Sequence, residues 1–381
     1  MWDVLIAGAG PAGSIAATLL ARAGARVLLL DRARFPRDKL CGDSLNPGTL
    51  ALLRRLNVSA WIDTHGMPID GMLVTGPGKV RVEGRYPAGF SGRSVARRDL
   101  DYALLTEAVR AGAQFDDGVT VRRAHVQPKT DGPVACVRGL VVSSYKGDVT
   151  IAAPVVIAAD GRRSPVAFGL GLARHPLRPR RWAVGGYFEG VSGMSTLGEM
   201  HIRVGAYIGV APLDGGLTNA CLVAPASTIG QSRDPEAVLL GAIRRDAVLR
   251  DRFTRARLIG RPTVLGPLAV EVETPSVAGL LLAGDAAGFI DPMTGDGMRF
   301  AVRGAELAAE AALEILATGQ PDAHVLLARR RQKAFAWKWR FNRVLRSLVD
   351  TPAAIGAAAC GAAIAPSVLR SVIRTAGDCQ C

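Results

Sequence analysis

Aromatic residues are scarce, 5% of 381 positions. No stretch interleaves them with arginine as a base-stacking surface requires, so no nucleic-acid partner is expected. The six cysteines, Cys41, Cys136, Cys221, Cys360, Cys379 and Cys381, form no Cys-x-x-Cys pair and no regular framework. A chain of this length does not depend on bridges, and a reducing, cytoplasmic compartment is expected. The five histidines show no ligand spacing and no G-x-S-x-G elbow occurs, so neither a metal site nor a serine hydrolase is expected. No basic leader or cleavage site precedes the apolar run at 2–7, and the chain is expected to begin as the mature protein does. One uncharged run, 351–369, is mostly Ala and Gly with Pro352 and Pro366 inside; a buried or interfacial helix pair is expected there rather than a membrane span. Repeats of fixed period are absent.

Acids are outnumbered. Asp+Glu 33 against Lys+Arg 47 leaves a net charge of +14, which favours phosphate-bearing cofactors or acidic membrane surfaces as partners. Apolar residues make up 49% and charged ones 21%, the composition of a folded chain with two or three domains at about 150 residues each.

Residues 2–31 read strand, glycine turn, helix, strand, with Pro11 in the first helical turn and Gly24 at its end. This is a βαβ unit with strands buried on both faces. Helices are expected at 47–56 and 98–111, with short strands between them in "GMLVTG" and "KVRVEG". Apolar runs at 119–126, 134–145 and 149–161 suggest an antiparallel ribbon returning to the main sheet at Asp160. Segments near 181–188, 199–212 and 217–223 suggest a separate sheet. A buried strand at 279–284 precedes a helix from about 298 to 316, and the tail reads as helical.

Four motifs carry chemistry. The first is Gly8-x-Gly10-x-x-Gly13, with Asp31 ending the next strand. Gly8 permits a tight turn, Gly10 lets amides approach a pyrophosphate, Gly13 lets helix and strand pack closely, and Asp31 accepts from ribose hydroxyls. The spacing alone arises by chance in glycine-rich chains; the flanking strands and the acid select the dinucleotide reading. The second is Arg97-x-x-Leu100-Asp101 at a helix start, where Arg97 is either a phosphate or ribose ligand or a solvated arginine. The third is Asp160-Gly161, ending an apolar strand. The fourth is Gly284-Asp285 with Pro292, Gly295 and Gly297, a strand end and glycine loop feeding a helix. Taken singly, it reads equally as an ordinary loop and cap.

In this order the motifs resemble the FAD-dependent oxidoreductase superfamily of geranylgeranyl reductases, aromatic hydroxylases (monooxygenases) and flavin-dependent halogenases, over about residues 1–320. "PRDKLCGDSL" and "GDAAGFIDPMTGDG" look most like the geranylgeranyl reductase branch. Aromatic hydroxylases more often carry His after "GDAA", where this chain has Gly288. Halogenases carry W-x-W-x-I-P, and "WKW" at 337–339 lacks the Ile-Pro. The resemblance implies an α/β fold: a discontinuous Rossmann-like FAD-binding domain of the glutathione-reductase type (1–70, 98–165 and 270–320), an antiparallel-sheet substrate domain (71–97 and 166–269) and C-terminal helices (321–381). It implies a cofactor-binding set of Gly8, Gly10, Pro11, Ala12, Gly13, Asp31, Arg32, Cys41, Arg97, Asp160, Gly161, Gly284, Asp285, Pro292, Gly295, Gly297 and Met298. A helix terminus after Gly297 would favour a reduced, anionic flavin.

The expected reaction is hydride delivery from reduced FAD to a carbon–carbon double bond of a hydrophobic isoprenoid or polyketide-like molecule, with a proton from water, Cys41 or Tyr207. No second glycine fingerprint is present, so electrons are expected from transient NAD(P)H contact or another donor. Cys41 reads equally as a small buried hydrophobe. The reductase branch resembles Y-x-W-x-F-P on its tunnel strand; Tyr207 and Pro212 match, but Gly209 and Ala211 replace the two rings, which implies a wider cavity. A monooxygenase and a non-catalytic, membrane-associated flavin binder are the alternatives. In the tail, Arg329, Arg330, Arg331, Lys333, Lys338, Arg340, Arg343 and Arg346 lie among Phe335, Trp337, Trp339, Phe341, Val344 and Leu345. That segment reads as peripheral contact with the inner face of an anionic membrane or as a solvated helix packed on the core.

Overall fold

The computed structural model describes residues 1–40, 43–77, 80–127, 136–144, 147–178, 180–230, 234–273, 277–319, 323–350 and 365–379. Its centre is a five-stranded parallel sheet in the order Leu280–Leu282, Val155–Ala158, Val4–Ala7, Val27–Leu30, Gln114–Asp116. The inner strands are uninterrupted apolar runs, buried at every position, as a sheet covered on both faces demands. Val4, Ile6 and Leu29 face the helices Pro11–Arg22, Arg97–Arg110 and Gly297–Thr318. Leu5, Ala7 and Leu28 face the antiparallel ribbon Val121–Gln127, Cys136–Ser144 and Gly147–Ala152. The result is the α/β fold expected from the motifs.

A seven-stranded sheet stands beside it, in the order Arg257–Leu265, Arg181–Glu189, Leu217–Pro225, Ala206–Pro212, Leu197–Arg203, Gly71–Thr75, Arg81–Arg85. One of its features differs from the sequence reading. The 199–212 segment is a hairpin, Leu197–Arg203 with Ala206–Pro212, turned at Gly205 with φ +71. Gly71–Thr75 joins this sheet in parallel with Leu197–Arg203, a pairing across more than a hundred residues that no local pattern encodes. Strand Arg257–Leu265 and helix Pro235–Arg245 also went unread. A buried chain pins the long-range pairing: Thr75 Oγ1 meets His201 Nδ1 at 2.9 Å, His201 Nε2 meets Glu199 at 2.8 Å, and Arg252 donates twice to Glu199.

The tail forms helices Ala323–Asp350 and Pro366–Ala376. Most of the uncharged run, 351–364, lies outside the described residues. Two of the eight tail cations are buried: Arg331 donates to the Ala287 carbonyl, and Lys338 donates to the Thr375 and Ala376 carbonyls while pairing with Asp378 at 2.9 Å and Asp296 at 3.3 Å. They clamp the tail onto the turn and loop that follow strand Leu280–Leu282, so the helix is docked on the core and only part of its surface meets solvent.

Candidate functional site

Parallel strands leave the sheet in one direction, so their carboxyl ends form one edge, and ligands of open α/β sheets gather there. Val4–Ala7 runs into Gly8, Val27–Leu30 into Asp31, Val155–Ala158 into Asp160, and Leu280–Leu282 into Gly284-Asp285. Motifs up to 277 residues apart in sequence thereby line one cavity of about 960 Å³. Gly8, Gly10, Pro11, Ala12, Asp31, Arg32, Arg97, Asp160, Gly161, Gly284, Asp285, Pro292, Gly295, Gly297 and Met298 all border it. Gly13 does not: a Cβ there would run into the Gly8 carbonyl oxygen, so its part is close helix–strand packing. Cys41 lies outside the described residues.

Two helix N-termini open onto the cavity. Pro11 starts one with no N–H of its own, and no side chain caps it; its first-turn amides therefore keep donors for a ligand. Gly297 starts the other, likewise without a side-chain cap. Asp31 is more engaged than its sequence position suggests, accepting from Ala9 N and Ala33 N at 2.8 Å each, which fixes the carboxylate at the mouth of the glycine turn. Burial pushes the Asp160 carboxyl up to about 7.

The Arg97 motif brings an acid and a second arginine to the same wall. The Arg97 guanidinium grips Asp101 with two hydrogen bonds, 2.8 and 3.0 Å, and Arg37 reaches the same carboxylate at 3.1 Å. Asp101, fully buried, thus holds two guanidinium groups in the cavity wall. Behind them, Asp43 accepts from Arg97 N at 3.0 Å and from Asn219 Nδ2 at 2.6 Å, tying the first helical turn to the seven-stranded sheet. Burial raises the Asp43 carboxyl to about 7.

Lys39 is a site residue that sequence reasoning passed over, although it stands inside the quoted "PRDKLCGDSL" segment. It lines the cavity; burial first, then the neighbouring Arg97, bring its ammonium down to about 8 against the pull of Asp285. Arg162 also lines the wall, its Nε has no hydrogen-bond partner among the described residues, and burial lowers it to about 10. Only the tertiary fold brings Lys39 and Arg162 beside Arg97, so nothing in the spacing signalled those two.

Tyr207 is not on the cavity lining. Its hydroxyl donates to Asp291 Oδ1 at 2.6 Å, in a site that also holds Arg181 4.0 Å from Asp291. Burial and Asp291 hold the phenol well above its ordinary range, so it is a poor proton donor to a substrate. Its neighbours Gly209, Val210 and Ala211 do reach the cavity, joined by Met72, Met200, Leu265 and Met293 on an apolar wall.

A dinucleotide fits these residues. A Cβ at Gly8 would strike the Ala159 carbonyl, so glycine keeps the turn tight at the cavity edge, the helix N-termini favour phosphate, and Arg162 and Lys39 on the lining supply positive charge. Residues 1–234 match the FAD binding domain family. The chain is 31% identical over 328 residues to menaquinone reductase of Mycolicibacterium smegmatis, covering 81% of this chain and 75% of that protein. It is 28% identical to digeranylgeranylglycerophospholipid reductase of Methanosarcina mazei, covering 89% and 80%. The solved flavin-dependent brominase Bmp2 superposes with a TM-score of 0.83 at 20% identity, over 99% of this chain and 94% of that one; this likeness speaks for the fold alone. By the family match over residues 1–234 and the relative at 31% identity, the chain belongs to the FAD binding domain family and is an FAD-dependent oxidoreductase.

Proposed function

We propose that the protein reduces carbon–carbon double bonds of an isoprenoid lipid or isoprenoid quinone. The supporting observation is a single cavity with two characters: strand ends, helix N-termini and cations on one side, and the apolar wall of the seven-stranded sheet on the other. An elongated apolar molecule can lie on that wall with its double bond toward the charged side. The two reductases named above are similar to this chain over most of its length, and their names point to the same substrate class.

When bound and reduced, FAD supplies a hydride to one carbon of the double bond. The other carbon needs a proton. We assign it to Lys39, whose ammonium, at about 8, gives up a proton near neutral pH more readily than an ordinary lysine. Arg97 and Arg37, held by Asp101, then face a neutral amine rather than a third cation. Gly209 and Ala211 put no ring on the wall, which suits a substrate carrying a bulky head beside its chain. NAD(P)H is the proposed electron source, by transient contact.

Anaerobic mixing of the photoreduced protein with a menaquinone or a geranylgeranyl lipid tests the reading. Flavin reoxidation without oxygen, with a product gaining one double bond's worth of hydrogen, is expected. Turnover that needs oxygen and inserts it into the product would replace this reading with a monooxygenase.

A further inference from the structure

Among the described residues no helix is long and apolar enough to cross a membrane, yet the Ala323–Asp350 helix carries an unusual outer face. Its buried side holds Leu327, Arg331, Phe335, Lys338 and Asn342. The rest of its surface exposes Arg329, Lys333, Arg340 and Arg343 opposite that side, and Trp337 and Val344 on one flank. Trp337 is 65% exposed and Val344 58%, and Phe341 stacks on Trp337 with ring centroids 6.3 Å apart. Positions 337, 341 and 344 follow the helical repeat, so they form one apolar stripe. The four exposed cations make no ion pair or side-chain hydrogen bond among the described residues, and residues 323–349 contain no acid. An ordinary solvated face mixes both signs, and this one does not.

The same helix also reaches the cavity. Leu345 lines it, together with Val372, Ile373 and Ala376 of the Pro366–Ala376 helix. The outward stripe and the cavity wall are thus two sides of one structural unit.

We propose that the outer face of the Ala323–Asp350 helix docks on an anionic lipid bilayer, with Trp337, Phe341 and Val344 entering the interface and Arg329, Lys333, Arg340 and Arg343 meeting lipid phosphates. An apolar stripe flanked by unpaired cations is the arrangement that lies in the interfacial plane. Each cation near such a surface contributes about 1 kcal/mol, which is about fivefold in affinity. Docking there places the cavity's helical wall at the surface from which a lipid-soluble molecule arrives. Vesicle binding requires no turnover, so this proposal and the reductase reading stand or fall separately.

The test is co-sedimentation of the FAD-loaded protein with vesicles of phosphatidylglycerol mixed into phosphatidylcholine, against phosphatidylcholine alone, at low and physiological salt. Binding to the anionic vesicles only, weakened by salt, is expected. Lys333→Gln with Arg340→Gln should weaken it about 25-fold, and Trp337→Ser should abolish a blue shift in tryptophan emission on binding; FAD content and circular dichroism verify that each variant is folded. Equal binding by the double variant would overturn the proposal. So would retention by an oligonucleotide but not by vesicles, or a concentration-dependent dimer that the Trp337→Ser variant disrupts.

Discussion

The Tyr207 hydroxyl donates to Asp291 at 2.6 Å, and this one bond joins the Ala206–Pro212 strand to the loop that carries Pro292, Gly295 and Gly297 to the cavity. Asp291 also accepts from Met293 N at 3.0 Å, closing the turn. Tyr207→Phe leaves a buried carboxyl with one donor fewer. We expect a loss of about 1–3 kcal/mol in urea unfolding and weaker FAD retention, with the slow step of reduction otherwise intact. An unchanged unfolding midpoint would show that the pair does not hold the loop.

Gly13→Ala places a methyl against the Gly8 carbonyl. Helix and glycine turn cannot both keep their positions, so the purified variant should lack FAD absorbance and unfold at lower denaturant than wild type. Retention of a full complement of flavin would remove Gly13 from the packing role given to it.

Lys39 predicts two pH effects. Its ammonium falls from 10.5 to about 8 on folding, so between those values the native state binds fewer protons than the unfolded one. This group's contribution to stability therefore rises with pH through that window and is least below about 8. Lys39→Met should make flavin-free protein more stable at neutral pH, and the gain should vanish toward pH 10.5. In turnover the sign reverses, because the protonated form acts: the rate should fall above about pH 8. Lys39→Met should abolish that limb and slow reduction by a factor of about 10² or more, measured with the variant saturated by added FAD, since the same side chain also brings positive charge to the dinucleotide cradle. A variant as fast as wild type would return the proton to water or Cys41.

Gly209 lines the cavity, and a Cβ there would have its closest neighbour, the Cys221 carbonyl, 4.0 Å away. Gly209→Phe can therefore be accommodated while narrowing the apolar wall. We expect kcat/KM for a ring-bearing isoprenoid to drop by about 10- to 200-fold, a simple prenyl chain to be affected less, and the flavin spectrum to stay the same. Equal effects on both substrates would place the substrate elsewhere.

How much of this was legible beforehand varies by element. The glycine turn, Asp31, Asp160 and Gly284-Asp285 could be read because each follows an apolar run, and the end of a buried parallel strand is a place local pattern identifies. Arg97 could be found but not understood: its guanidinium is committed to Asp101, four residues on, and that acid also collects Arg37 from a distant loop. Lys39 could not be found at all, since its lowered pKa comes from burial and from Arg97 rather than from its neighbours in the chain. The resemblance to the Y-x-W-x-F-P signature puts Tyr207 toward substrate; the partner that makes it a clamp lies 84 residues away, where no signature reaches.

Taken alone, the order of residues determined that the glycine turn, Asp31, Asp160 and Gly284-Asp285 end buried strands, because hydrophobic period, glycine and a terminal acid are all properties of short segments. Tertiary structure decided which charged groups share the cavity, how the seven-stranded sheet admits Gly71–Thr75, and which side of the tail helix meets solvent. Those outcomes depend on burial and on pairings between segments far apart in the chain, and desolvation and Coulomb forces act on distances in space, which local sequence does not contain.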